Sequence, residues 1–282
     1  MVAEATGWLA SLRLILQTAV ELAELFMRHI LIVGIGAGNP EHITIQAINA
    51  LNCADALFLP KKGENKADLA NIRRDVIDRY VTREGIRVVE FDVPVRETRD
   101  RSYDRSVDDW HAAIAEIYEK LLTNEVPEDG TAAFLVWGDP MLYDSTIRII
   151  ERVKTRGRIF FDFSVVPGIT SLQALTAAHR IPLNLVGKPV EITTGRRLLE
   201  SAMEKGRTKV IMLDGEQAFL KVDDPEAWIY WGAYLGTGNE IVLSGPLHQV
   251  RDEIAKTRAE ARARHGWIMD IYLMRSGADF DE

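Results

Sequence analysis

The sequence predicts an α/β protein of two domains, the first built on a mostly parallel sheet and the second on a mixed, more antiparallel one. Apolar strand-like runs alternate with helical patterns through the first half, and short strand candidates follow one another in the second. The first apolar run passes into glycines at Gly34, Gly36 and Gly38. A strand that turns sharply into a helix needs residues without a Cβ clash, and glycines let a ligand approach the main chain. With 282 residues and 47% hydrophobic content, the chain can bury the cores of two ordinary domains.

Ile30 to Val33 reads as a buried strand, Thr44 as the cap of a helix running through Leu51, and Ala56 to Leu59 as a second strand. A charged helical stretch covers Ala67 to Tyr80. Beyond it come a strand at Arg87 to Phe91, a polar loop from Val95 to Asp104, a helix from Val107 to Leu122 and a strand at Ala132 to Val136. A helix near Ser145 to Lys154 precedes an extended stretch, Phe160 to Val166, and a helix from Thr170 to His179. Strand candidates then lie at Lys209 to Leu213, Glu240 to Leu243 and Trp267 to Met274, with helices expected between them. Thr155-Arg156-Gly157 reads as the linker, giving domains at 27–154 and 155–282. Residues 1–26 read as an N-terminal extension, helical at best and dispensable to the chemistry; Arg13, Glu21 and Glu24 interrupt their apolar character, which argues against a signal peptide or a membrane span.

The formal net charge of −8 argues against non-specific binding to nucleic acid or anionic membranes. A single cysteine, Cys53, excludes an intramolecular disulfide, fits a reducing cytoplasm, and is expected to be buried and inert. No pair among the six histidines has the spacing of a zinc site, so no bound metal is expected.

The glycine turn invites a dinucleotide reading, but the G-x-G-x-x-G fingerprint meets Asn39 at its third glycine position. The second strand ends in Leu59-Pro60-Lys61-Lys62 instead of the acidic residue that holds a ribose hydroxyl. Lysines suit the extra phosphate of NADP, so an NADP-dependent oxidoreductase stays as the alternative from another enzyme class.

Three further segments are Gly138-Asp139-Pro140 with Tyr143-Asp144-Ser145, Val165-Val166-Pro167-Gly168-Ile169-Thr170-Ser171, and Ile181-Pro182-Leu183. With VGIGAGNP they form an ordered set of four that resembles the tetrapyrrole methylase family from about Met27 to the C-terminus. Ala37 departs from the family's common G-x-G-P-G turn. The resemblance implies a two-domain methylase fold with a cleft between the domains, S-adenosylmethionine as methyl donor, S-adenosylhomocysteine as product, a tetrapyrrole substrate, and a cytoplasmic homodimer. GIGAGNPEHIT, FLPKKG, FLVWGDPMLYDS and WGAYLGTGNEIVLSGPL look most like the branch that methylates precorrin-5 at carbon 1 and expels an acetyl group as acetate. Another methylase of the same fold, such as one acting at carbon 20 of precorrin-2, is the nearer alternative.

Carried over by motif, the resemblance puts Trp137, Gly138, Asp139, Tyr143, Asp144 and Ser145 along the amino-acid end of the cofactor, with Thr170 and Ser171 beside it at a helix start. Met212, Leu213, Ala233, Ser244, Gly245 and Pro246 are expected around the adenosine, and Gly36 toward the tetrapyrrole. A substrate rich in carboxylates needs local cations on an acidic protein. Residues 61–74 carry five, Lys61, Lys62, Lys66, Arg73 and Arg74, against Glu64 and Asp68; the loop 96–105 carries Arg96, Arg99, Arg101 and Arg105 against three acids. Lys61, Arg73, Arg99 and Arg105 are the expected substrate contacts. Deacetylation calls for a general base and an oxyanion stabiliser. Tyr103, Asp104 and Tyr143 are candidates, His111 and His179 read as helical packing residues, and no catalytic residue is assigned.

Overall fold

The computed structural model describes residues 27–61, 67–95, 103–200 and 202–277. The expectations for residues 1–26, Lys62, Lys66, Arg96, Arg99 and Arg101 therefore lie outside the described residues, as do those for the side chains of Tyr103 and Asp104.

The first sheet takes β1 (Arg28–Gly34), β2 (Ala56–Lys61), β3 (Arg87–Asp92), β4 (Thr131–Val136) and β5 (Phe161–Val166) in the order β3-β2-β4-β1-β5, every pairing parallel. Helices α1 (Ile45–Cys53) and α2 (Ala67–Tyr80) cover one face; α3 (Tyr103–Glu125) and α4 (Thr146–Arg156) cover the other. Alternate residues of a strand face opposite sides, so Leu31 and Val33 pack with Leu51 and Val76 while Ile30 and Ile32 pack with Leu122 and Ile150. Burial on both faces explains why these strands read as continuous apolar runs. Thr44 Oγ1 accepts from Ala47 N at 3.0 Å and starts α1 where the sequence places it.

The second sheet has the order β6-β7-β10-β8-β9, with β6 (Val190–Thr194), β7 (Thr208–Met212), β8 (Ala227–Ala233), β9 (Ile241–Pro246) and β10 (Asp270–Ser276). Only β6 and β7 pair in parallel; the other neighbours are antiparallel. Helix α5 (Ser171–His179) packs through Leu172 and Leu175 against Val210, Ile271 and Leu273, and α6 (Leu247–His265) packs through Ile254 and Ala261 on the other face.

Three expectations are corrected. Thr155-Arg156-Gly157 is no linker: Gly157 caps α4 at φ +66°, and β5 beyond it pairs with β1, so the chain leaves the first sheet only after Val166. Helices are not all that lies between the late strand candidates, because β8 is a strand, and AWIYWGA, with its aromatic residues, has the composition of one; β6 is a further strand ahead of the first candidate. Cys53, the last residue of α1, is exposed.

A Cβ on Gly168 would overlap the Gly138 carbonyl oxygen, and the backbone there has no flexible side chain to yield. Gly168→Ala is expected to destabilise the protein by about 1–3 kcal/mol as an overpacking substitution, read as a lowered denaturation midpoint; an unchanged midpoint contradicts this packing.

Candidate active site

Three loops leave the carboxyl ends of adjacent strands and meet. Gly36 N donates to Gly138 O at 3.2 Å and Gly138 N to Gly36 O at 2.8 Å, which ties the loop after β1 to the loop after β4. Both glycines have positive φ, +86° and +67°, a region that side chains rarely adopt. A Cβ on Gly34 would stand 2.7 Å from Gly168 N and 2.8 Å from Gly138 O, so the loop after β5 presses on both others. The crevice beyond the carboxyl ends of such strands is where open α/β sheets bind ligands.

Asp139, only 9% exposed, closes this junction from within: Oδ2 accepts from Gly168 N at 2.8 Å and Oδ1 from Met141 N at 2.7 Å. Its carboxylate holds loop to loop. Thr170 is similarly engaged, since its Oγ1 accepts from Gln173 N at 3.3 Å and donates to Gln173 Oε1 at 2.9 Å in a capping box. The Thr170 hydroxyl is thus engaged in starting α5.

The remaining motif residues divide between two hollows. Trp137 and Ser171 line the first, together with Ala37, Tyr234, Leu235 and Thr237. Its enclosed part is about 20 Å³, enough for only the edge of a ligand lying in the open cleft. Trp137 Nε1 is buried there without a hydrogen-bond partner. Tyr143, Asp144 and Ser145 line the second hollow, about 170 Å³, with Arg73, Trp110 and Phe134. Asp144 Oδ1 accepts from Thr146 N at 2.7 Å, and Ser145 Oγ lies 2.9 Å from His111 Nε2.

The second sheet supplies the facing wall. Tyr143, at φ +52°, reaches Ile192 O of β6 with its hydroxyl at 3.5 Å. Burial pushes its phenol above the usual range, against the opposing charge of Arg197, so it stays protonated at neutral pH. Met212 pairs with Ile271 and Ala233 with Asp270, which puts both at the same end of the sheet. Leu213, next in the chain, is 67% exposed with φ +54°; an exposed apolar side chain on a strained backbone is the kind of feature that gathers at ligand sites. Ala233 itself is fully buried in the core. Ser244, Gly245 and Pro246 are not brought to this place: they pair with Tyr230, Ile229 and Trp228, three to five residues back along β8, or about 10–17 Å. Tyr234, Leu235 and Thr237 line the first hollow as well; they stand within WGAYLGTGNEIVLSGPL, a segment that carried the resemblance without giving them a site role.

The expected substrate cations have separate fates. Lys61 lies 3.3 Å from Glu90, which also binds Arg74. Arg73 is 4% exposed and donates from Nε to Leu135 O at 3.1 Å, so it is a wall of the second hollow and not a surface cation. Arg105 is exposed near the start of α3. His179 contacts Trp231 O at 3.0 Å and packs as expected, whereas His111 is coupled to a motif residue, a link its helical spacing did not signal. Among the described residues no cluster of three or more potential metal ligands occurs, and no helix is long and apolar enough to cross a membrane.

Asp139→Ala leaves the Gly168 and Met141 amides without their carboxylate. A loss of about 1–3 kcal/mol is expected in denaturant unfolding, and a variant as stable as the parent contradicts the role given to this side chain.

Comparison with known proteins matches residues 29–251 to the family of tetrapyrrole (corrin/porphyrin) methylases. The precorrin-6A synthase (deacetylating) of Sinorhizobium sp is 70% identical over 261 residues, covering 93% of this chain and 100% of that one. Among solved structures, a cobalamin synthesis related protein (CobF) from Corynebacterium diphtheriae superposes with TM-score 0.77 at 37% identity, over 89% of this chain and 99% of its own. A uroporphyrin-III C-methyl transferase from Thermus thermophilus complexed with S-adenyl homocysteine shares the fold at TM-score 0.51 and 16% identity, over 88% of this chain and 92% of its own. The glycine junction, the two sheets and these relatives agree: the chain belongs to the tetrapyrrole methylase family.

Proposed function

We infer that this chain is an S-adenosylmethionine-dependent C-methyltransferase of cobalamin biosynthesis, converting precorrin-5 to precorrin-6A by methylation at carbon 1 with release of the acetyl group as acetate. The carrying observation is the glycine junction of Gly34, Gly138 and Gly168 beneath a two-sheet cleft, in a chain 70% identical to a precorrin-6A synthase (deacetylating) along that protein's full length. The deacetylating branch is favoured over methylation of precorrin-2 at carbon 20, because relatives of that specificity are 27–28% identical over 60–77% of this chain.

The residues present suit the cofactor. Trp137 Nε1 is a buried donor awaiting an acceptor, and the aromatic and aliphatic side chains of Tyr234, Leu235 and Ala37 beside it suit a flat purine. S-adenosylmethionine supplies, when bound, a methyl group already electrophilic on a sulfonium. The contribution of the chain is alignment: Trp137 and Ser171 would hold the donor, Met212 and Leu213 would flank it, and the cleft would exclude water. Such positioning supplies roughly 7–11 kcal/mol of barrier reduction. Tyr143, kept protonated by burial, would donate a hydrogen bond to an oxygen that becomes negative. Arg105 and Lys61, both exposed, would meet the carboxylates of the tetrapyrrole. A cytoplasmic homodimer completes the reading, supported by the family resemblance and, for the compartment, by a single cysteine.

Turnover of precorrin-5 with S-adenosylmethionine, followed by mass spectrometry for methylated product and by assay of acetate in the same sample, tests the reading. Equal amounts of both are expected; methyl gain without acetate moves the enzyme to another step of the family. Trp137→Phe, which deletes the buried donor and keeps an aromatic ring of smaller size, is expected to weaken S-adenosylhomocysteine binding by about 3–10-fold in titration calorimetry. Unaltered affinity would remove Trp137 from the cofactor site.

A further inference from the structure

The second hollow, with the His111 and Ser145 pair behind it, has a chemistry that methyl transfer leaves unused. Ser145 stands at the N-cap position of α4, yet its hydroxyl makes no capping bond and lies instead against His111 Nε2 at 2.9 Å. A serine at this position ordinarily caps its helix. Ser145 also lines the 170 Å³ hollow, whose walls are polar at Arg73 and Asp144 and apolar at Phe58, Trp110 and Phe134. That volume is several times the share of one water molecule, and the mixture of walls suits a short acyl group with a carbonyl at one end and a methyl at the other.

We propose that Ser145 and His111 are the nucleophile and base that remove the acetyl group, and that this hollow receives it. The proposal rests on the precorrin reaction inferred above. Ser145 Oγ adds to the acetyl carbonyl carbon while His111 Nε2 takes the hydroxyl proton. Collapse of the tetrahedral adduct breaks the bond from that carbon to the macrocycle. The electron pair of the broken bond stays on the ring carbon, delocalised into the conjugated macrocycle, and forms the new bond to the methyl group. His111 loses its proton to solvent, then takes one from water as the water oxygen adds to the acetyl-serine, and returns it to Ser145 Oγ as acetic acid leaves. The N-terminus of α4 places positive helix potential beside the transient oxyanion.

The surroundings keep His111 in the state a base needs. Burial lowers its pKa below the ordinary histidine value, Arg152 and Arg148 on α4 lower it further, and Asp108 on its own helix opposes them. The imidazole is therefore neutral at pH 7, and acetate release should fall only as pH drops through that lowered value.

Single-turnover reactions of wild type, His111→Gln and Ser145→Ala with precorrin-5 and S-adenosylmethionine, reading methylated product and acetate separately, test the pair. In His111→Gln acetate release is expected to drop by about 10²–10⁴-fold, with methylated product falling in step because the ring carbon is freed only as the acetyl group leaves, and the acid limb of the wild-type pH profile should vanish. Acetate released at the wild-type rate in either variant overturns the proposal. His111→Asn replaces the glutamine variant should that one not fold. Acylation by p-nitrophenyl acetate, mapped by peptide mass spectrometry, decides the pair independently of the precorrin reading. Acetylation at Ser145 that disappears in His111→Gln supports it, and wild-type protein left unacetylated at Ser145 overturns it. Absence of methylated product from the wild type would count against the precorrin reading alone.

Discussion

The close approach of three backbones at Gly34, Gly138 and Gly168 is the constraint on which the rest of the site depends. No side chain fits between the loops that follow β1, β4 and β5, so these loops can be in register only where glycine stands. Paired amides of Gly36 and Gly138 and the two bonds to the Asp139 carboxylate then fix the junction without covalent help. A buried carboxylate that accepts two backbone N–H groups is well satisfied, and removing it orphans both donors. Rigidity here sets the positions of Trp137 on one side and Tyr143 to Ser145 on the other.

The junction also carries the second sheet. A Cβ on Gly38 would overlap Leu235 O, and Ala37 sits within the apolar cluster of Leu172, Leu175 and Leu235. The turn after β1 is thus packed against the end of β8, and α5, which starts directly after the β5 loop, lies on the second sheet. Where the family commonly has proline, Ala37 leaves a small side chain buried at 3% exposure in this contact. Tyr143 spans the cleft at another point by reaching Ile192 O. The facing residues of both sheets are consequently held by a few short-range contacts around one turn.

Two hollows flanking one rigid junction fit a reaction of two halves. On one side a buried indole N–H and apolar surfaces suit the methyl donor; on the other a hydroxyl backed by an imidazole lines a cavity of acyl size. Methyl transfer asks mainly for alignment, whereas cleavage of a carbon–carbon bond to a carbonyl asks for a nucleophile and a proton acceptor. Under the function proposed above, two distinct hollows let each group of side chains be arranged for its own step.

The sequence by itself determined the class of fold, most element positions in the first half and the glycine loops that meet at the carboxyl ends of the strands. Strands buried on both faces are written as apolar runs, helix starts as capping residues, and backbone contact as glycine, so Gly34, Gly138 and Gly168 were visible as motifs. Strands β6 and β8 were less legible, because short strands in a mixed sheet draw their partners from distant segments that local patterning does not name. Tertiary structure alone decided that β5 belongs to the first sheet, that Arg73 is buried beneath Leu135, and that Ser244 to Pro246 lie well along β9 from Met212 and Ala233. It also decided that Thr170 caps a helix and that Ser145 does not, joining instead a histidine 34 residues away. The physical reason is common to these cases. A residue type fixes what a side chain can bond to, while the choice among its possible partners is made by sheet order and helix packing.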